Sequence, residues 1–291
     1  MEKKYRAIWF FLLSTLLLTG LVACESPIRR DEDTSVLPGD GYSVSATGQI
    51  LFRLADTFTK APETTASTLA RDGFHVSATT GKTGNETEVW TNASFTRTGN
   101  VFSGDKWWSP SDSSYHFYAS NTDLIYHASG ATVIASTDQD VVCAYLPAPS
   151  FQEPNELAFQ HILARLGNVA MQGPELYSAT VSSISITPYI SGTYNIRTQE
   201  WSHLQPGQTI PLSSSNDIWC IPSYYTLTVQ YTLSREDYTE SFTKSTLIPL
   251  QAGKTSHLSG ILPQGNASEI EFTVEVADWT GHAIDIGRYG L

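Results

Sequence analysis

Two groups of acids stand close enough along the chain to suggest chemistry. Asp138 and Asp140 in "STDQD", and the acids of "REDYTE" at 235–240, have the spacing of a calcium loop or of the paired carboxylates of a sugar hydrolase. In an acidic chain such residues are more commonly solvated loop acids. They are expected to lie in water, with a hydrolase acting through Asp138 or Asp140 as a third reading. The seven histidines show no His-x-x-x-His or comparable ligand spacing. His75, His116 and His161 sit in apolar or aromatic surroundings and are expected to be structural, while His127, His203, His257 and His282 are scattered. The serine-rich "LSSSND" lacks the Gly-x-Ser-x-Gly frame of a nucleophile elbow. No catalytic residue, metal ligand or cofactor is therefore expected, and the chain is read as a non-enzyme.

Binding chemistry is better represented. Trp90, Trp107, Trp108, Tyr115, Phe117, Tyr118 and Trp219 could stack on sugars, since flat rings offer apolar contact to pyranose faces. Aromatics in strand patterns more often fill a core. Trp107 and Trp108 are adjacent, so an extended strand turns them to opposite faces and leaves one outside as a surface-contact ring. Three cysteines remain to be placed. Cys143 and Cys220 are expected as two buried thiols rather than a disulfide.

The third cysteine belongs to the N-terminus. Residues 1–23 carry Lys3, Lys4 and Arg6, then an apolar stretch from Ile8 to Leu18, then small residues, the layout of a bacterial secretory signal. That stretch falls short of the about 20 apolar residues of a membrane-spanning helix. "LVAC" at 21–24 resembles a lipobox, in which Cys24 becomes the new N-terminus and carries palmitate-type acyl chains into the membrane. Removing residues 1–23 leaves the chain more acidic than its full-length net charge of −12, which disfavours nucleic acid as a partner.

The elements that must position these residues are short. Residues 24–47 are polar, with Pro27, Pro38, Gly39 and Gly41, and read as a tether reaching about 80 Å when extended. From there on, β-rich runs alternate with Gly, Pro, Asn, Asp and Ser clusters. "YTLTVQYTL" places Tyr225, Leu227, Val229, Tyr231 and Leu233 on one face, and "IEFTVEVADW" does the same for Ile270, Phe272, Val274 and Val276. The proline-rich "PAPSFQEPN" at 147–155 marks a boundary between an N-terminal domain, 48–147, and a C-terminal domain, 148–291. An all-β fold of two tandem sandwiches is expected. One segment dissents: "ELAFQHILARLGNVAM" has helical spacing and helix-forming residues, so propensity alone favours a helix.

The same segment carries a resemblance. "ELAFQHILARL" is similar to the stretch that opens the second domain in the fimbrillin-like family of Gram-negative anaerobes, where it is a strand. "FHVSATTG", "TGNVFSGDKWWSPSDSSYHFYAS", "TDQDVVCAY", "ITPYISGTYNIRTQEWS", "AGKTSHLSGIL" and "FTVEVADW" resemble that family's landmarks in the same order. The resemblance turns 157–171 into an expected strand. It implies two transthyretin-like sandwiches, export as an outer-membrane lipoprotein through Cys24, and a role as a fimbrial (pilus) subunit or an accessory or tip adhesin. In shaft subunits of the family, an arginine-directed protease cuts after the first strand, which leaves, and a neighbour's C-terminal segment fills the groove. Carried onto this chain, the displaceable strand is "GQILFRL", with Gly48, Ile50, Phe52 and Leu54 in one row, and "TGHAIDIGRYGL" is the donor or its vestige. A cut at Arg29 or Arg30 would leave that strand in place, and "TKA" puts Lys60 where members often have arginine, so Arg71 is the expected processing site. The implied partners are other fimbrial subunits, the outer membrane through Cys24, and a host or bacterial surface glycan or protein. The second reading is a glycan-binding outer-membrane lipoprotein that never polymerises.

Overall fold

The computed structural model describes residues 48–55, 66–108, 115–147, 149, 154–264, 270–278 and 283–289, with backbone alone for 66, 67, 278 and 283–289. In chain order the elements are β1 (Gln49–Leu54), α1 (Ala66–Asp72), β2 (Phe74–Lys82), β3 (Asn85–Thr98), β4 (Val101–Trp107), β5 (Tyr115–Ser120), β6 (Ile125–His127) and β7 (Gly130–Ser136). Then come β8 (Val142–Pro147), β9 (Asn155–Leu157), β10 (Gln160–His161), β11 (Ala164–Gln172), β12 (Ser178–Ile186), β13 (Tyr189–Asn195) and β14 (Glu200–Pro206). The remainder are β15 (Ile210–Pro211), β16 (Ile218–Cys220), β17 (Ser223–Arg235), β18 (Tyr238–Leu250), β19 (Lys254–Ile261), β20 (Glu271–Asp278) and β21 (Ala283–Tyr289). The protein is all-β, as its patterning requires.

An eight-stranded sheet runs β10-β8-β5-β2-β3-β4-β1-β9. Long β3 makes it curl: residues 85–95 pair with β2, and Thr96–Thr98 continue onto β4. Asn92, at φ 55, supplies the irregularity that bends the strand. One face thereby closes on itself around Ile50, Phe52, Phe74, Phe95, Phe102, Phe117 and Leu157. A second core, with Tyr118, Val133, Cys143, Ile162, Leu163 and Tyr194, lies between this sheet and the four strands β14-β13-β7-β6. The third core joins the sheets β16-β11-β19-β20-β21 and β15-β12-β17-β18. Its rows are the ones alternation predicts: Tyr225, Leu227, Val229, Tyr231 and Leu233 from β17, and Phe272, Val274 and Val276 from β20, all buried.

The segment with helical spacing is extended. β9 lies at one end of the eight-stranded sheet and β10 at the other, and β11 runs parallel to β19 in a different sheet. Leu157 and Phe159 enter the first core, Ile162 and Leu163 the second, Ala164 and Leu166 the third. A helix presents one apolar stripe, whereas this chain must supply three cores in succession, so tertiary burial overrides propensity. The extended state is the one that the family resemblance implies, whereas α1 is a helix that the strand pattern does not announce. Leu69 anchors it in the first core, and Gly73, at φ 78, ends it by donating its N–H to the Leu69 carbonyl at 2.8 Å.

Candidate functional site

The expected displaceable strand is β1, the penultimate strand of the curled sheet. On one side it pairs antiparallel with β4, with a register shift between Gln49 and Leu51. On the other it meets β9 in parallel over Phe52, Arg53 and Leu54. Ile50 and Phe52 are fully buried, Leu54 is half-buried, and Gly48, at φ 72, immediately precedes the strand in a conformation that favours glycine. Phe52 is the centre of an aromatic cluster: its ring meets Phe95 at 4.9 Å and Phe117 at 5.0 Å, edge-on in both cases. Fully burying a side chain of this kind contributes about 1.5–3 kcal/mol. Around the rim, the Gln49 side-chain amide donates to the Gly104 carbonyl at 2.8 Å, Trp108 N–H to the Gly48 carbonyl at 2.8 Å, and Ala55 N–H to the Leu157 carbonyl at 3.0 Å. Arg53 pairs with Glu156 across β1 and β9 at 3.1 Å, both side chains substantially exposed.

Arg71 occupies the last turn of α1. Its guanidinium is in water and donates to Asp72 at 2.7 Å, and that hydrogen bond lowers the Asp72 carboxyl below its ordinary value. Residues 56–65, including Lys60, lie outside the described part, as does Cys24. Cleavage after Arg71 therefore requires α1 to open locally, because its last turn is helical and Leu69 pins it from below. The C-terminal Ala283–Tyr289 pairs antiparallel with β20 as an edge strand.

The other sequence-predicted residues separate widely. Trp107 is 49% exposed, whereas Trp108 packs on Tyr115 and Phe117 at the first core. Tyr115, Phe117 and Tyr118 are buried, so the proposed sugar-stacking rings are not one platform. Asp138 is exposed, bonded to the Ser136 hydroxyl. Asp140, expected in water, is instead buried and hydrogen-bonded to His161 Nδ1 at 3.0 Å. The correction has a physical cause: β10 docks on β8 and brings His161 over Val142, which closes the loop acid from solvent. His116 is structural as read, bonded to the Tyr145 hydroxyl at 2.9 Å and the Gly81 carbonyl at 3.1 Å. Cys143 and Cys220 are free and buried, and burial pushes both thiols up to about 12, which makes them inert. Among the described residues no three His, Cys, Asp or Glu side chains cluster for a metal, and no helix is long and apolar enough to cross a membrane.

One constellation escapes the sequence entirely. Glu86, 4% exposed, accepts hydrogen bonds from Thr79, from the Tyr118 hydroxyl at 2.7 Å and from Arg197 Nη1 at 2.7 Å. Burial alone would raise its carboxyl, but the bonds from Thr79 and Tyr118, with the charges of His116 and Arg197, hold it below its ordinary value. Tyr118 is correspondingly raised by burial and by its bond to Glu86. No local signal distinguishes Glu86 from Glu88 in "NETEVW"; the partners lie as far as 111 residues away.

Known proteins share this geometry to different degrees. No curated protein matches the chain. Among solved structures, a candidate cell adhesion protein of Parabacteroides distasonis superposes with a TM-score of 0.50 at 7% identity, over 80% of this chain and 98% of its own. A candidate cell adhesion protein of Bacteroides uniformis gives 0.45 at 14% identity, over 80% and 98% of the two chains. A fimbrial assembly protein of P. distasonis gives 0.38 at 11%, over 81% and 98%. At these identities the first is a likeness of fold, and the two lower scores add no argument. Sequence goes further: the fimbrillin-like family model matches residues 59–279, most of the chain and nearly all of the sandwich strands, and the chain belongs to that family.

Proposed function

We propose that this chain is a non-enzymatic, cell-surface fimbrial subunit, or an accessory or tip adhesin, held in the outer membrane by lipid on Cys24 and assembled by exchange of β1. The observation that supports this most is the way β1 is held. It contributes two fully buried side chains, Ile50 and Phe52, yet joins the sheet through a shifted register on one side and three parallel residues on the other. Its departure would leave an apolar trough floored by Phe74, Phe95, Phe102 and Phe117, with the backbone edges of β4 and β9 unpaired. A strand from another copy satisfies both the trough and the edges at once, and backbone pairing makes that insertion tolerant of sequence.

In this reading lipid on Cys24 holds the uncut chain in the membrane until an arginine-directed protease cuts after Arg71, when β1 leaves together with Cys24 and its lipid and with α1 and its Leu69. The segment from 280 onward, whose Ala283–Tyr289 lies on β20, is the donor to a neighbour. The test treats the lipid-bearing chain from membranes with an arginine-specific protease. The expected outcome is a new N-terminus at Asp72 together with ladders in detergent that resist mild heating. A mature chain beginning at Asp31, or persistent monomer after cleavage at Arg71, overturns it.

A further inference from the structure

Three cavities differ in what lines them. One, at α1, includes Arg71, Asp72 and His75; a second includes Glu175, Arg235 and Glu236. The third, of about 430 Å³, lies over β12, β17 and the 206–209 turn, and no charged side chain lines it. A lining without charge offers an ionic ligand no counter-charge. The volume falls inside the about 300–1,000 Å³ usual for small-molecule sites.

We infer that this third cavity binds a neutral sugar, with Tyr224 as its stacking ring. Tyr224, Thr226 and Thr228 alternate with buried Tyr225, Leu227 and Val229 along β17, so ring and hydroxyls stand in one outward row. Tyr224 is 73% exposed, and an open aromatic beside hydroxyls matches a pyranose, which has an apolar face and a polar rim. Thr187 is bonded to Thr209 at 2.7 Å, and Thr228 to Ser245 at 3.0 Å. Those bonds orient each hydroxyl while leaving it further donor or acceptor capacity, as a sugar diol requires. The inner wall is rigid: Tyr225 packs on Tyr189 at 5.7 Å, donates to the Ile221 carbonyl at 2.5 Å and accepts from Tyr189 N–H at 3.3 Å.

Competing ligands fit worse. β17 is already paired on both sides, by β12 and β18, so the cavity floor offers no open backbone ladder to a peptide strand. Phosphate or sulfate would find no cation among the lining residues, and a lipid tail would strand their hydroxyls. The site lies apart from β1, so the inference does not depend on strand exchange.

The test uses the full chain, uncut, titrated calorimetrically with maltotetraose, mannotetraose, galactotetraose and chitotetraose, with sialyllactose and a heparin tetrasaccharide as anionic controls. The expected result is binding of at least one neutral sugar, unchanged by added salt and unchanged between about pH 5 and 8, where only histidine ordinarily titrates. Tyr224→Ala should weaken it about tenfold or more, equivalent to about 1.4 kcal/mol. Thr228→Val should weaken it less, and Trp107→Ala should leave it intact. Binding of the anionic controls alone, no binding of any neutral sugar, or unchanged affinity in folded Tyr224→Ala overturns the assignment. Should Tyr224→Ala fail to fold, unchanged affinity in Thr228→Val does the same.

Discussion

β1 and the β17–β18 hairpin both send apolar side chains into a core, Ile50 and Phe52 from the one and Tyr225, Tyr231 and Phe242 from the other, yet they are attached in opposite ways. The hairpin pairs without a register shift from Ser223↔Leu250 to Arg235↔Tyr238, thirteen residues on each strand, and its strands are joined by two residues. Its closure entropy is small and its backbone ladder long. β1 reaches partners far along the chain, with three paired positions on β4 and three on β9. Its hold is side-chain burial, with little ladder to support it. Side-chain burial can be handed to any strand with a suitable apolar row, whereas a continuous ladder to a sequence neighbour cannot, so the weakly laddered element is the one suited to exchange.

The sharpest way to break this comparison is to empty both rows. Phe52→Ala and Phe242→Ala should each destabilise the intact chain by about 3–5 kcal/mol, read as a drop in urea midpoint. If the chain is cut at Arg71 and assembles by the proposed exchange, Phe52 is gone, so its substitution should no longer matter, while Phe242→Ala should remain as damaging. Equal penalties in the assembled form would show that β1 never leaves.

A comparable loss, about 3 kcal/mol, is expected for Arg197→Ala, which strands the buried Glu86 carboxylate. The pH dependence follows from the lowered Glu86 value. The folded carboxyl binds a proton less readily than the unfolded one, whose ordinary value is 4.5. Its contribution to stability is therefore complete above about pH 4.5 and is lost as pH falls through the lower folded value. Melting curves through the acid range should lose that component of the slope in Glu86→Gln. Because neither residue touches β1, the effect should persist after cleavage, as for Phe242.

Much of the hairpin was legible in the sequence and less of the β1 site. Strict alternation identified Tyr225 through Leu233 and Phe272 through Val276 as buried rows, because period two is a local signal. Ile50 and Phe52 of β1 came instead from the family resemblance, because β1 buries Ile50, Leu51 and Phe52 in succession and shows no strict alternation. What stayed hidden depends on distant partners. Asp140 looked like a loop acid until β10 brought His161 over it, and Glu86 carried no local signal at all because its partner Arg197 lies 111 residues away. Helix α1 was too short to leave a periodic trace, and the extended state of residues 155 to 172 was legible only through the family resemblance, because three cores claim them in turn and their local spacing is helical.

The smallest expected effect is also the most local to the comparison. Arg53 and Glu156 form an ion pair across the β1–β9 seam, and both side chains are about half in water, 41% and 50% exposed. Exposed pairs contribute about 0–1 kcal/mol, so Arg53→Ala should barely move the global unfolding midpoint. Its consequence should appear in local opening instead. Ala55 N–H, bonded to the Leu157 carbonyl on the same seam, should exchange its proton with solvent faster in Arg53→Ala, while the amides of β17 and β18 keep their protection. Ladder-rich and ladder-poor strands then separate in one experiment. If Arg53→Ala loosened the hairpin amides as much as Ala55, β1 would be part of the same cooperative unit as the hairpin and could not leave alone.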